Sequence, residues 1–130
     1  MKIFAFTLFC LISLSGSAQP PIQILSAGNG EEKNISVQKL NGDSLSTSFL
    51  IEVKNHVPKH YHANHTEHVY ILHGSGKFLL NADTFDVKPG DYLFIPMQSI
   101  HEVWVDGSEP MRVLSIQSPK FLGNDRVLVD

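Results

Sequence analysis

From Ile35 to Gln117 the chain alternates apolar and polar residues, or runs apolar for a few positions, and breaks at turn-forming residues every eight to twelve positions. Successive side chains on a strand point to opposite faces, so period two with frequent interruption describes many short strands, each with one buried face. Nothing between residues 34 and 118 keeps a helical period over three turns. The pattern predicts strands at 35–40, 46–53, 57–62, 68–73, 77–81, 84–87, 91–95, 101–105 and 111–117. Asn41-Gly42-Asp43, Gly74-Ser75-Gly76, Asn81-Ala82-Asp83, Lys88-Pro89-Gly90 and Asp106-Gly107-Ser108 separate them, each able to supply turn geometry. With 130 residues in all, the expectation is one all-β domain over 34–130, a sandwich or a barrel. Arg126-Val127-Leu128-Val129, beyond Pro119, adds either an edge strand or an outer wrap.

Residues 1–18 read as something other than fold. Met1-Lys2 gives a positive start, Ile3 to Leu14 is apolar apart from Thr7 and Ser13, and Gly16 and Ala18 are small residues placed before Gln19. This is the layout of a secretory signal peptide, and the run is too short for a transmembrane helix. The expectation is a secreted or periplasmic protein whose mature chain opens on an extended arm, 19–33. The one cysteine, Cys10, lies within the leader, so the mature chain has neither disulfide nor thiol nucleophile. A net charge of −3, without a basic block, argues against nucleic acid. No membrane association is expected once the leader is removed.

Chemistry concentrates in one short segment. Six of the seven histidines fall between His56 and His73, and the seventh is His101. On a strand His60 and His62 share a face, with Tyr61 on the other. Two imidazoles on one face make a chelating pair, and neutral imidazole is the commonest metal ligand. Glu67 follows at the entry to the next strand and can add a carboxylate, while His101 opens a later strand after the Pro96 to Ile100 turn. Taken singly, His56, His65, His68 and His73 read as solvated residues or as supports behind the ligands. Tyr70, Phe94 and Trp104 read as packing or cavity wall, and strand parity puts Trp104 outside, opposite the face of His101.

The sequence resembles the cupin superfamily. His60-x-His62-x4-Glu67-x6-Gly74 is similar to its first motif, and Gly90-x5-Pro96-x4-His101 to its second. The resemblance covers about residues 45 to 117. Three positions depart from it: Lys54 and Gln98 stand where cupins usually carry glycine, and Val105 where they usually carry asparagine. The resemblance implies a small antiparallel jelly-roll barrel. It also implies that His60, His62, Glu67 and His101 hold one divalent transition metal within it, from Mn, Fe, Ni, Cu or Zn. Such a donor set leaves coordination positions open to water or substrate.

Cupins include isomerases, epimerases, lyases, dioxygenases, decarboxylases and non-catalytic binders, so the fold names no activity. The first expectation is metal-assisted proton transfer on a small oxygenated substrate (a sugar, uronate or organic acid), with Glu67, His73 or Tyr70 as proton carrier. The alternatives are a non-catalytic binder of metabolite or metal, and a metal-dependent dioxygenase. The resemblance also implies a possible homodimer, with Trp104 and the 126–129 tail available to the contact.

Overall fold

A computed structural model describes residues 19–25 and 33–130. The expected leader, 1–18, and the middle of the arm lie outside the described residues. Ten strands follow in order: β1 (Ile35–Gly42), β2 (Thr47–Val53), β3 (His56–His62), β4 (Thr66–His73), β5 (Gly76–Leu80), β6 (Asp83–Val87), β7 (Tyr92–Ile95), β8 (His101–Val105), β9 (Met111–Ser118) and β10 (Arg126–Leu128). Nine were expected from the alternation, and the tail supplies the tenth as an edge strand.

The strands form two five-stranded antiparallel sheets, ordered β1-β2-β9-β4-β7 and β10-β3-β8-β5-β6. Each sheet takes strands from distant parts of the chain, as a jelly roll requires. The sheets face one another across Val69, Ile71, Phe78, Val87, Ile95, Val103, Met111 and Val113, all buried. Alternation places these residues: on β9, for example, Met111, Val113, Ser115 and Gln117 point in while Ile116 points out. Val69 and Ile71 do the same on β4, leaving Tyr70 outside.

Turn chemistry closes the corners. Asp43 accepts hydrogen bonds from the amides of Leu45 (2.8 Å) and Ser46 (3.0 Å), which fixes the β1–β2 hairpin. Gly76 has a different reason to be glycine. A Cβ built there would stand 2.1 Å from the carbonyl oxygen of Trp104, so β5 and β8 could not approach as they do with any side chain present. The 96–100 turn that delivers His101 is pinned at both ends. Gln98 N–H donates to His62 O (2.8 Å), and Asn81 N–H to Ile100 O (2.7 Å).

Candidate metal centre

The register of β3 against β8 sets His60 directly opposite His101. Cross-strand partners share a face of the sheet, and these two rings have centroids 4.0 Å apart. His62, two residues along β3, faces the same way, its ring 5.2 Å from each of the others. One ring nitrogen from each of the three lies within 4.8 Å of the other two. Glu67 comes from β4 on the opposing sheet. Its Oε2 is 3.4 Å from Nε2 of His62 and 3.6 Å from Nε2 of His101. The four side chains are buried and line one cavity.

Two of the rings are oriented by backbone carbonyls. His60 Nδ1 lies 2.8 Å from Pro58 O, and His101 Nδ1 lies 3.0 Å from Ser99 O. A carbonyl only accepts, so each Nδ1 carries the proton and each Nε2 keeps its lone pair for the interior. Burial pushes the His60 pKa down to about 3, assisted by His101 and Arg126 nearby, so this ring is neutral at ordinary pH. Burial alone would raise the Glu67 pKa. Hydrogen bonds donated to the carboxyl, by the rings of His101 and His62 whenever Nε2 carries a proton and by the Ser115 hydroxyl, outweigh that and hold it well below the usual range. Its Oε1 accepts from Ser115 Oγ and from Gln117 Nε2, the latter at 3.2 Å.

A second group adjoins the first. His62, His65 and Asp125 also bring one donor atom each within 4.8 Å of one another. His65 Nδ1 sits 2.6 Å from Asp125 Oδ2, and its ring stacks on His62 at 4.3 Å. Asp125 Oδ1 is 3.8 Å from His62 Nδ1. Those two atoms and His65 Nε2 are buried and have no hydrogen-bond partner. His65 is therefore not solvated: it is 2% exposed and packs behind His62. Asp125 is tied in at both backbone and side chain, since Ala63 N–H donates to its carbonyl (2.9 Å) and Asn64 N–H to its Oδ2 (3.0 Å).

Tyr70 and His73 lie outside the cavity, which removes them as groups that could touch a ligand there. Tyr70 is 43% exposed on the outer face of β4, between the inward Val69 and Ile71. His73 would point inward by simple alternation, but the ladder to β9 shifts register between Ile71 and His73. The ring is left exposed, its Nδ1 3.2 Å from Pro110 O. Phe94 and Trp104 are outward too, so neither is cavity wall. Trp104 stacks on His56, which contacts Glu102 at 2.7 Å, and His68 packs against Tyr92 and Phe94. Sequence reasoning missed Ser115, Gln117, Asp125 and Arg126. The first two carried a signal, being polar residues at inward positions of an otherwise apolar strand.

The cavity has a volume of about 380 Å³. Its walls are mostly Ile, Val, Phe and Met from both sheets, and its polar lining is confined to His60, His62, Glu67, His101, Gln117 and Arg126. Burial lowers the Arg126 pKa, with the charge of Glu67 opposing the shift. The orphaned ring and carboxylate atoms behind His62, the lone pairs fixed by Pro58 and Ser99 and the ionised Glu67 make a donor set that suits a divalent cation.

The Cupin_2 (cupin domain) family profile matches residues 48–117. This chain belongs to the cupin family. An uncharacterized protein of Aquifex aeolicus (strain VF5) is 32% identical to this cupin over 108 residues, which is 83% of this chain and 88% of the relative. Among solved structures, Streptomyces Pac13, a variant with uridine, superposes with a TM-score of 0.69 at 15% identity. The match covers 87% of this cupin and 92% of Pac13, which is described as a nucleoside dehydratase. KdgF from Halomonas sp. superposes with a TM-score of 0.64 at 17% identity, covering 69% and 84% of the two chains. At those identities the likeness of this cupin to Pac13 and KdgF is one of fold.

Proposed function

We propose that this cupin holds one divalent transition metal in the His60–His62–Glu67–His101 set and acts on a small oxygenated substrate by proton transfer of the isomerase or lyase type. The observation that carries the reading is the convergence of three imidazoles and one ionised carboxylate, from two facing sheets, on a single cavity with mostly apolar walls. A bound divalent metal supplies Lewis-acid stabilisation of the charge that develops on a substrate oxygen. The chain's own residues prepare that event. Pro58 O and Ser99 O keep two rings in the tautomer that presents a lone pair, so nothing must reorganise on binding. The apolar walls lower the local dielectric and so strengthen the charge interactions beside them. Ser115 and Gln117 hold Oε1 of Glu67, leaving Oε2 as the atom through which Glu67 acts, as ligand or as proton acceptor. Of the three candidate proton carriers, Glu67 is the one that lines the cavity.

A nucleoside dehydratase among the fold neighbours supports lyase-type chemistry on a small ligand. A second reading, a non-catalytic binder, draws on the additional donor group of His62, His65 and Asp125. Elemental analysis and proton NMR in D2O separate the two. About one metal per chain, lost in the His60→Ala/His101→Ala variant, together with metal-dependent exchange of a substrate C–H for deuterium, is the expected result. Stoichiometric metal with no exchange across sugars, uronates and organic acids would overturn the catalytic reading in favour of the binder. A location outside the cytoplasm belongs to the same proposal, on the strength of the leader pattern. Mass spectrometry of the exported protein should find a mature N-terminus at Gln19.

A further inference from the structure

The polar lining of the cavity is unevenly committed. The lone pairs of His60 and His101 are directed inward, and Glu67 is held by Ser115 and Gln117. Arg126 is different: among the described residues its guanidinium has no ion pair and no hydrogen bond, yet it lines the cavity. Its position is set by register. Arg126 stands directly opposite His62 in the β10–β3 ladder, so the two side chains leave the same face of the sheet. It remains exposed on its outer side, at the rim of a cavity whose other walls are mostly Val, Ile and Phe. Glu67, the other charged group of the lining, already has both oxygens facing partners of its own.

An unpaired guanidinium against an apolar wall favours an anion, and its planar fork matches a carboxylate best. The rest of the lining says what should be attached to that carboxylate. Away from the imidazole cluster the walls offer no donors or acceptors beyond Gln117. The hydroxyls of a free sugar or uronate would lose water there without replacement, whereas methylene groups would gain. A volume of about 380 Å³ suits a small molecule rather than a polymer segment. We infer that the ligand of this cavity is a small carboxylic acid with an apolar body, its carboxylate paired to Arg126 beside the His60–His62–Glu67–His101 cluster. This rests on the proposed reading of the cavity as a substrate site and narrows its substrate class to organic acids.

Calorimetry on the full mature chain, metal-loaded, tests it with three probes: hexanoate, the neutral hexanamide, and glucuronate, which keeps the charge and replaces the apolar body with hydroxyls. Hexanoate should bind at least tenfold more tightly than either of the others. Arg126→Gln should weaken hexanoate at least tenfold and leave hexanamide unchanged, and Arg126→Lys should recover part of the loss, which a merely unfolded variant would not do. Equal affinity for hexanoate and hexanamide, tighter binding of glucuronate, or an Arg126→Gln variant that binds hexanoate like wild type would overturn the inference. Turnover of a neutral sugar without hexanoate binding would sink this inference and leave the proton-transfer reading standing. Arg126-dependent hexanoate binding, with no substrate turned over, would do the reverse.

Discussion

Gln98 holds a backbone conformation that side chains avoid, with φ at 64°. Cupins usually carry glycine at this position, and the angle explains why: the turn before His101 needs the left-handed region. The turn survives here because Gln98 N–H is anchored to His62 O. Relief of strain and the entropy of a freer chain oppose one another in Gln98→Gly. The first is about 1–2 kcal/mol and the second about 0.5–1 kcal/mol, so urea denaturation should show a gain of up to about 1.5 kcal/mol with metal content unchanged. Ser115→Ala should act the other way. It strips a donor from the buried, ionised Glu67, at an expected loss of about 1–3 kcal/mol at neutral pH. At this scale the His60–His62 pair was legible because strand geometry turns spacing into position, while Glu67 and His101 joined it through the resemblance of the two motifs. Asp125 was not, because it lies 58 residues beyond Glu67 in a tail without periodic pattern, and only the folded chain brings it to His62.

The strands themselves were legible almost to the residue, since period two marks both their extent and their buried face. What the alternation misplaces is what lies past a register shift. His73 shows this: one irregularity after Ile71 turns an expected inward ring outward. β10 was ambiguous for another reason. Three residues carry too little pattern to distinguish an edge strand from a wrap, and its pairing is chosen by β3 rather than by its own composition. The contact of β5 with β8 makes the prediction proper to this scale. Gly76→Ala inserts a methyl against Trp104 O and the Met111 side chain, and should cost about 1–3 kcal/mol through forced separation of the strands. Because Phe78 of β5 stacks on His101 at 6.1 Å, the same variant should lower metal occupancy. Elemental analysis that found full occupancy would show the two ends of the sheet to be uncoupled.

For the molecule as a whole, acid is the expected weakness. His60 titrates at about 3 when folded and at about 6.5 when unfolded, so the unfolded chain takes up a proton first as pH falls. Its contribution to stability is complete above 6.5 and is lost between 6.5 and about 3. His65, also lowered by burial, adds in the same direction. Glu67, held below 4.5 in the fold, adds a further loss once pH drops beneath that value. The Tm of metal-free protein should be flat above pH 7 and fall progressively below 6.5; a flat profile down to pH 5 would contradict a buried, neutral His60. Association is a second matter of this scale. Trp104 and the 126–128 strand, the contact expected for a homodimer, belong to one sheet, whereas Tyr70, Tyr92, Phe94 and Ile116 are exposed on the outer face of the other; we propose this second face for such a contact. Light scattering at micromolar concentration should return twice the chain mass.

β10 is three residues long, sits at a sheet edge and is bonded to β3 alone. Short edge segments open locally at a small fraction of the free energy of global unfolding, and this one carries Arg126 at the cavity rim. Fraying of the 126–128 ladder would therefore carry Arg126 away from the rim, which ties retention of an anionic ligand to the stability of this edge. The signature would be kinetic: the amide of Val129, bonded to Lys59 O at 3.0 Å, should exchange with solvent orders of magnitude faster than those of β9, and slow down when the cavity is filled.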